Sequence, residues 1–286
     1  MTDKNTVFQQ NKTLNIRGSL MDLSTPKVMG ILNLTPDSFY DGGNYNQCDT
    51  ALLQVGQMLE EGADFIDIGA YSSRPGAADI SIDEEKERLV PVIKMIIKQF
   101  PHAILSIDTF RAEVARAALE SGAHIINDIS AGELDAQMFS TVAEYRVPYI
   151  MMHMKGTPKT MQQHATYSDV FNEVLDYFIQ KVNVLKDLGV NDLIIDPGFG
   201  FAKTTNNNYT LLTRLDEFKI LGLPLLAGLS RKSMIWKTLG TSANEALNGT
   251  TVLNTIALMK GASILRVHDI KPAVEAIKLV SQLHGL

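Results

Sequence analysis

The chain is poor in the residues that would commit it to several large classes of protein: it has one cysteine, Cys48, one tryptophan, and no long apolar run. A single thiol closes no intramolecular disulfide and builds no thiolate metal centre, which points to a reducing compartment. No stretch approaches the roughly 18 apolar residues of a membrane span, and Met1-Thr2-Asp3-Lys4-Asn5 opens no signal-peptide core. A soluble, unprocessed, cytoplasmic protein is therefore expected. Clusters of Lys and Arg are also missing, and with a formal net charge of -6 the chain offers no electrostatic footprint for nucleic acid or an anionic membrane. Any anion must be held by a few local cations. The six histidines form no His-x-x-x-His pair and no serine lies in a Gly-x-Ser-x-Gly turn, which argues against a helical zinc site and a nucleophile elbow.

What the chain does have is a repeated design. Leu193-Ile194-Ile195-Asp196 is a short, wholly apolar run ending in one carboxylate, followed by the glycine-rich bend Pro197-Gly198-Phe199-Gly200-Phe201. Such a run reads as a buried parallel strand carrying an acid to the carboxyl edge of its sheet. Similar runs end at or near Asp108, Asn127-Asp128 and Arg266-Val267-His268-Asp269, and others span Val28 to Leu32, Asp64 to Gly69, Pro148 to Met152 and Pro224 to Leu229. Helical periodicity follows each. Ser81-Ile82-Asp83-Glu84 reads as a capping box with Pro91 as a kink or break, and Thr109 and Ser168 read as helix starts. Eight strand and helix units in about 255 residues predict one (β/α)8 TIM barrel domain over residues 1–286, its core beginning near residue 28. The alternating patch Thr13 to Gly18 predicts a short strand or hairpin closing one end. An open doubly wound sheet is the competing architecture, but its Gly-x-Gly-x-x-Gly turn is missing after the first strand.

In a barrel, residues at the carboxyl ends of strands face a single mouth. This brings together Asn33, Arg74, Asp108, Asn127, Asp196, Lys232, Arg266 and His268. Asp108, Asn127 and Asp196 offer acceptors suited to a flat heterocycle rich in N–H groups. Met151, Met152 and Met154 supply an apolar wall on which such a ring can lie. Arg266 and His268 alternate along one strand and, with Asn33, can clamp a phosphate or pyrophosphate, while a bridge from Arg266 to Asp269 is the plainer alternative. Ser230-Arg231-Lys232-Ser233 opens a helical segment whose free N–H groups favour an anion. Lys232 is either a Schiff-base lysine or a cation kept charged by Asp196.

From about Val28 onward the chain resembles bacterial dihydropteroate synthase. The resemblance rests on Asn33-Leu34-Thr35-Pro36-Asp37-Ser38-Phe39 with Asp41-Gly42-Gly43, Asp67-Ile68-Gly69 with Ser72-Ser73-Arg74-Pro75-Gly76, Asp196 to Phe201, Ser230 to Ser233, and Arg266-Val267-His268-Asp269. Tyr71 stands where members of that family often carry Glu. The resemblance implies condensation of 6-hydroxymethyl-7,8-dihydropterin pyrophosphate with p-aminobenzoate, sulfonamide sensitivity and a homodimer. It implies pterin binding by Asp108, Asn127, Asp196 and Lys232, and pyrophosphate binding by Asn33, Arg266 and His268, with Asn33 on Mg²⁺. Ser73, Arg74, Pro75, Phe201, Lys232 and Ser233 would surround p-aminobenzoate. Asp108, Asp196, Lys232 and Arg266 are thus the expected catalytic set. A methyltetrahydrofolate corrinoid methyltransferase would share the acidic floor without using a pyrophosphate clamp, and a non-catalytic pterin-binding barrel would keep the floor while its loops decayed.

Overall fold

Parallel strands buried on both faces need apolar side chains on each, and the barrel strands here have them. The computed structural model describes residues 11–34, 43–72 and 79–284. It opens with an antiparallel pair, β1 (Thr13–Ile16) and β2 (Ser19–Asp22), turned at Arg17 and Gly18 with both φ angles positive. The eight barrel strands are β3 (Lys27–Asn33), β4 (Phe65–Gly69), β5 (Leu105–Asp108), β6 (Ile125–Asp128), β7 (Tyr149–Met152), β8 (Leu193–Asp196), β9 (Leu226–Ala227) and β10 (Ile264–Val267). All pair in parallel in the order β8-β7-β6-β5-β4-β3-β10-β9, and one parallel bridge, Ile195 to Leu225, joins the two ends into a ring. The expected TIM barrel is therefore present.

Helices cover the outside: α1 (Gly43–Glu60), α2 (Ile82–Gln99), α3 (Ala112–Glu120), α4 (Met138–Tyr145), α5 (Val170–Asp187), α6 (Thr205–Thr213), α7 (Ser233–Leu239), α8 (Leu247–Met259) and α9 (Ile270–His284). Their apolar faces pack on the outward strand residues, among them Ile66, Ile107, Ile126, Met151, Ile195 and Leu265. The inward residues form a second cluster at the amino end, where Met29, Phe65, Ile125, Ile150, Ile194, Leu226 and Ile264 meet Leu14, Ile16 and Leu23. The hairpin thus plugs the floor of the barrel. Each large apolar side chain buried there is worth about 1.5–3 kcal/mol.

Local signals were altered by tertiary contacts in three places. Ser81 accepts from the Glu84 N–H as predicted, but the Glu84 carboxylate bonds to Arg88, so only half of the capping box forms. The helix α2 runs through Pro91 without a break, because Pro91 and Glu87 lie on its exposed face and the freed carbonyl of Glu87 can turn to water. Thr109 does not cap α3. Its hydroxyl accepts from the Arg111 N–H, and the carboxylate of Asp135 takes the Ala112 N–H at 2.7 Å instead. The cap of α5 is Asp169, one residue beyond the predicted Ser168.

Candidate active site

Because side chains alternate along a strand, the inward residue two positions past each floor residue lies one layer higher, toward the mouth. Phe65 is followed inward by Asp67 and Gly69, Ile125 by Asn127, Ile150 by Met152, Ile194 by Asp196, Leu226 by Gly228, and Ile264 by Arg266 and then His268. The register sets Gly69 beside Asp108, Asp108 beside Asn127, and Met152 beside Asp196. An apolar floor therefore becomes a polar ring within one layer.

Asp108, Arg266 and His268 of that ring line a cavity of about 670 Å³, together with residues that include Asn33, Tyr71 and Lys232. Gly228 sits close to two of the charged groups: a Cβ on it would lie 3.7 Å from the Lys232 Nζ and 3.8 Å from the Asp196 Oδ2. Arg266 reaches across the mouth. Its Nε donates to Asp67 Oδ2 at 2.6 Å and its Nη2 to Asp108 Oδ2 at 2.6 Å, while Asn127 Nδ2 donates to the same Asp67 oxygen at 3.0 Å. The plainer alternative for Arg266 is not realised, since Asp269 is held by Arg231 through two bonds of 2.9 and 2.8 Å. A guanidinium has more donors than two bonds use, so Arg266 keeps capacity for an anion.

Asp196 is buried, and its Oδ1 accepts the Gly198 N–H at 2.8 Å. Lys232 immediately precedes the seven-residue helix α7, donates to the Phe199 carbonyl, and places its ammonium 4.8 Å from the Phe201 ring centroid. Phe201 packs against a small apolar cluster containing Met152, Met154 and Met161. Ser233 is the first residue of α7, and the exposed His268 has its Nδ1 3.0 Å from the Ser230 hydroxyl. Thr35 to Gly42 and Ser73 to Ala78, with the expected Ser73, Arg74 and Pro75, lie outside the described residues.

Burial drives the ionisation of the ring. It pushes the Asp108 carboxyl up to about 7 against the pull of Arg266, with Asp67 adding to the rise. Burial raises Asp196 as well, and Lys232 opposes it. Burial brings Lys232 down to about 8, Asp196 resisting, so the ammonium still prevails at neutral pH and a free amine for a Schiff base is the minor form. For Arg266 burial lowers proton affinity, but Asp67 and Asp108 outweigh it and the net direction is upward.

Sequence reasoning missed Asp67 as a member of the site. It lies in mid-strand rather than at a strand end, and its signal was a lone carboxylate inside a strand with every residue buried. Lys203, the one basic residue in the stretch from Asp196 to Lys203, was missed too. Tyr71 is held by the neighbourhood it faces: its ring meets Phe110 edge-on at 5.0 Å, and the Arg111 guanidinium lies 5.0 Å from its centroid.

Acceptors for ring N–H groups, cations for an anion and a flat apolar wall between them define a barrel that binds a charged heterocycle. A family described as pterin binding enzyme matches residues 29–268, and the chain belongs to that family. Its relatives narrow the assignment to the bacterial dihydropteroate synthases. The chain is 47% identical over 270 residues to the dihydropteroate synthase of Escherichia coli (strain K12), covering 92% of this chain and 94% of that one. It is 44% identical to the Synechocystis enzyme of the same name, over 90% of this chain and 89% of that one. Among solved structures, the Yersinia pestis dihydropteroate synthase with a sulfonamide drug superimposes with a TM-score of 0.89 at 42% identity, covering 96% of this chain and 100% of that one. The Xanthomonas albilineans enzyme in complex with 7,8-dihydropteroate gives 0.86 at 36% identity, covering 96% and 99%.

Proposed function

We propose that this chain, as one domain, condenses 6-hydroxymethyl-7,8-dihydropterin pyrophosphate with p-aminobenzoate to form 7,8-dihydropteroate and pyrophosphate, and that sulfonamides compete for the aminobenzoate position. It is a transferase. The observation that carries the reading is one cavity lined by the carboxylate of Asp108 and by Lys232, Arg266 and His268, with Asn127 beside Asp108 on the next strand and Asp196 on β8 completing the acid and amide floor. The floor accepts the pterin N–H groups, and the rim holds the pyrophosphate with Asn33. Met152 and Phe201 flank the rings, and Ser233, with Ser73, Arg74 and Pro75, completes the aminobenzoate pocket.

The amine of p-aminobenzoate is a weak nucleophile, so the reacting methylene must become strongly electrophilic. Asp108 and Asp196 stabilise positive charge spreading into the dihydropterin ring as the carbon–oxygen bond breaks, and Arg266 and His268 stabilise the departing anion. Both sets act on charge that is absent before the reaction. The donor set fits Mg²⁺: Asn33 brings a hard amide oxygen to the cavity, and no cluster of three His, Cys, Asp or Glu among the described residues builds a cage for another metal. Bound there, Mg²⁺ would add charge neutralisation of the pyrophosphate. The protein works in the cytoplasm. A homodimer through α8 is supported by Val252, Ile256 and Met259, which are 50%, 38% and 48% exposed at helical spacing.

The test is direct turnover. With both substrates and Mg²⁺, the purified protein releases pyrophosphate and forms dihydropteroate. Binding of the pterin pyrophosphate without turnover would move the assignment to a non-catalytic pterin barrel.

A further inference from the structure

We propose that Lys203 is a positioning residue whose buried side-chain nitrogen fixes the loop after β8, and through it both Asp196 and Phe201. The inference rests on the roles given above to those two residues. Lys203 is 4% exposed and makes no ion pair among the described residues. Its Nζ instead meets four acceptor atoms: the carbonyls of Gly198 and Phe201 at 3.0 Å each, the carbonyl of His153 at 3.3 Å, and His153 Nδ1 at 3.0 Å. Two of these belong to the loop after β8 and two to the residue after β7, so one side chain ties neighbouring strand ends together.

The loop follows an unusual backbone path, which Lys203 shares in holding with the Phe201 N–H on the Gly198 carbonyl, Asn208 Oδ1 on the Gly200 N–H and the Tyr167 hydroxyl on the Ala202 carbonyl. Gly198, Gly200 and Ala202 have φ of +71°, +82° and +49°, so left-handed residues alternate along it and turn carbonyls toward one centre. Converging carbonyl dipoles repel each other and, when buried, need donors. Lys203 supplies them. Burial holds its affinity for a proton well below that of a free lysine, against the pull of Asp196. The three carbonyls can only accept, and the nitrogen carries N–H groups for them in either protonation state.

The other side of the same loop bears the chemistry. The Gly198 N–H holds Asp196 Oδ1 at 2.8 Å, the Phe199 carbonyl receives Lys232, and the Phe201 ring lies under the Lys232 ammonium. The backbone has no slack to compensate, since a Cβ on Gly198 would come within 2.1 Å of the His153 carbonyl oxygen. Collapse of the carbonyl cradle therefore displaces an acceptor of the pterin and a wall of the aminobenzoate pocket together.

The experiment compares wild type with Lys203→Met, which keeps the length and apolar stem but has no donor. Active sites are titrated, and KM for each substrate is measured apart from kcat. The expected result is a tenfold or greater rise in KM for both dihydropterin pyrophosphate and p-aminobenzoate, with kcat per active site changed less than threefold. A merely structural role lowers the active fraction and leaves both KM values unchanged, and that result would overturn the proposal. If Lys203→Met does not fold, Lys203→Gln is used, which keeps N–H donors but is too short to serve every carbonyl. Both KM values should then rise at least threefold, and unchanged values again refute the proposal. Failure of the wild type itself to turn over would count against the assigned reaction instead.

Discussion

Replacing Asp67 by Asn tests the claim that a carboxylate below the cavity organises the residues above it. In the native site Asp67 Oδ2 accepts from Arg266 Nε at 2.6 Å and from Asn127 Nδ2 at 3.0 Å, whereas the buried Oδ1 has no partner among the described residues. An asparagine that keeps its oxygen toward Arg266 must point its NH₂ into the place of Oδ1. That unmet NH₂ replaces an oxygen that is unmet already, so the exchange adds little, whereas loss of the negative charge weakens the bond from Arg266 by roughly 1–2 kcal/mol. Relief of repulsion between Asp67 and Asp108 returns part of this, leaving a net loss of about 1 kcal/mol, or roughly fivefold in the folding equilibrium. Urea unfolding followed by far-UV circular dichroism should show the midpoint falling with the slope unchanged. Affinity for dihydropterin pyrophosphate should fall too, because Asp108 and Asn127 lose their common anchor. A variant with the wild-type midpoint and the wild-type affinity by calorimetry would refute the organising role.

Asp196→Asn should reduce pterin affinity at least tenfold while the protein stays folded, since one charge-assisted bond is worth about 1.5–3 kcal/mol; calorimetry with dihydropterin pyrophosphate measures it. The same affinity should fall as the pH drops below about 7, approaching tenfold per unit, because the pterin N–H groups need Asp108 ionised. The 24% exposure of that side chain moderates its burial, so the midpoint lies at or somewhat below 7. Ligand-free folding takes the opposite sign: an acid whose pKa is raised in the folded state loses its stabilising contribution as pH rises from 3.8 toward 7, and thermal melts should show a steeper fall over that range in the wild type than in Asp108→Asn, where Asp196 and other buried acids still contribute. Gly198→Ala forces a side chain onto a φ of +71° and against the His153 carbonyl, and should lower the melting temperature together with affinity for both substrates. A double change, Val252→Glu with Ile256→Glu, should shift sedimentation to that of a monomer.

Much of the barrel is legible in the chain because each strand is apolar on two faces and each helix on one, so the two periods separate cleanly. Asp108, Asn127 and Asp196 were legible for a geometric reason: a polar residue on the inward face near the end of an apolar strand points toward the mouth, whereas Asp128, on the other face of the same strand end, turns to Ser130 and Tyr149. Asp67 obeys the same alternation but lies two residues short of its strand's end, where the pattern gives no hint that a partner lies 199 positions away in Arg266. The Asp135 cap on α3 and the pairing of Arg231 rather than Arg266 with Asp269 are likewise facts of three dimensions. Lys203 was hidden because three of its four partners are backbone carbonyls, which carry no residue identity.

The ring of strands is closed at a single bridge, between Ile195 and Leu225, beside a two-residue strand, whereas β3 and β4 are paired over five positions. Mechanically the barrel resembles a clasped bracelet rather than a hoop, and the clasp lies next to Asp196. Thermal agitation acts first on the weakest join, so opening there would dismantle the pterin floor while the opposite wall stays knit. A ligand that bonds Asp196 on one side of the clasp and the rim about Lys232 and Arg266 on the other would fasten it. Substrate would then serve as a structural strut as well as a reactant.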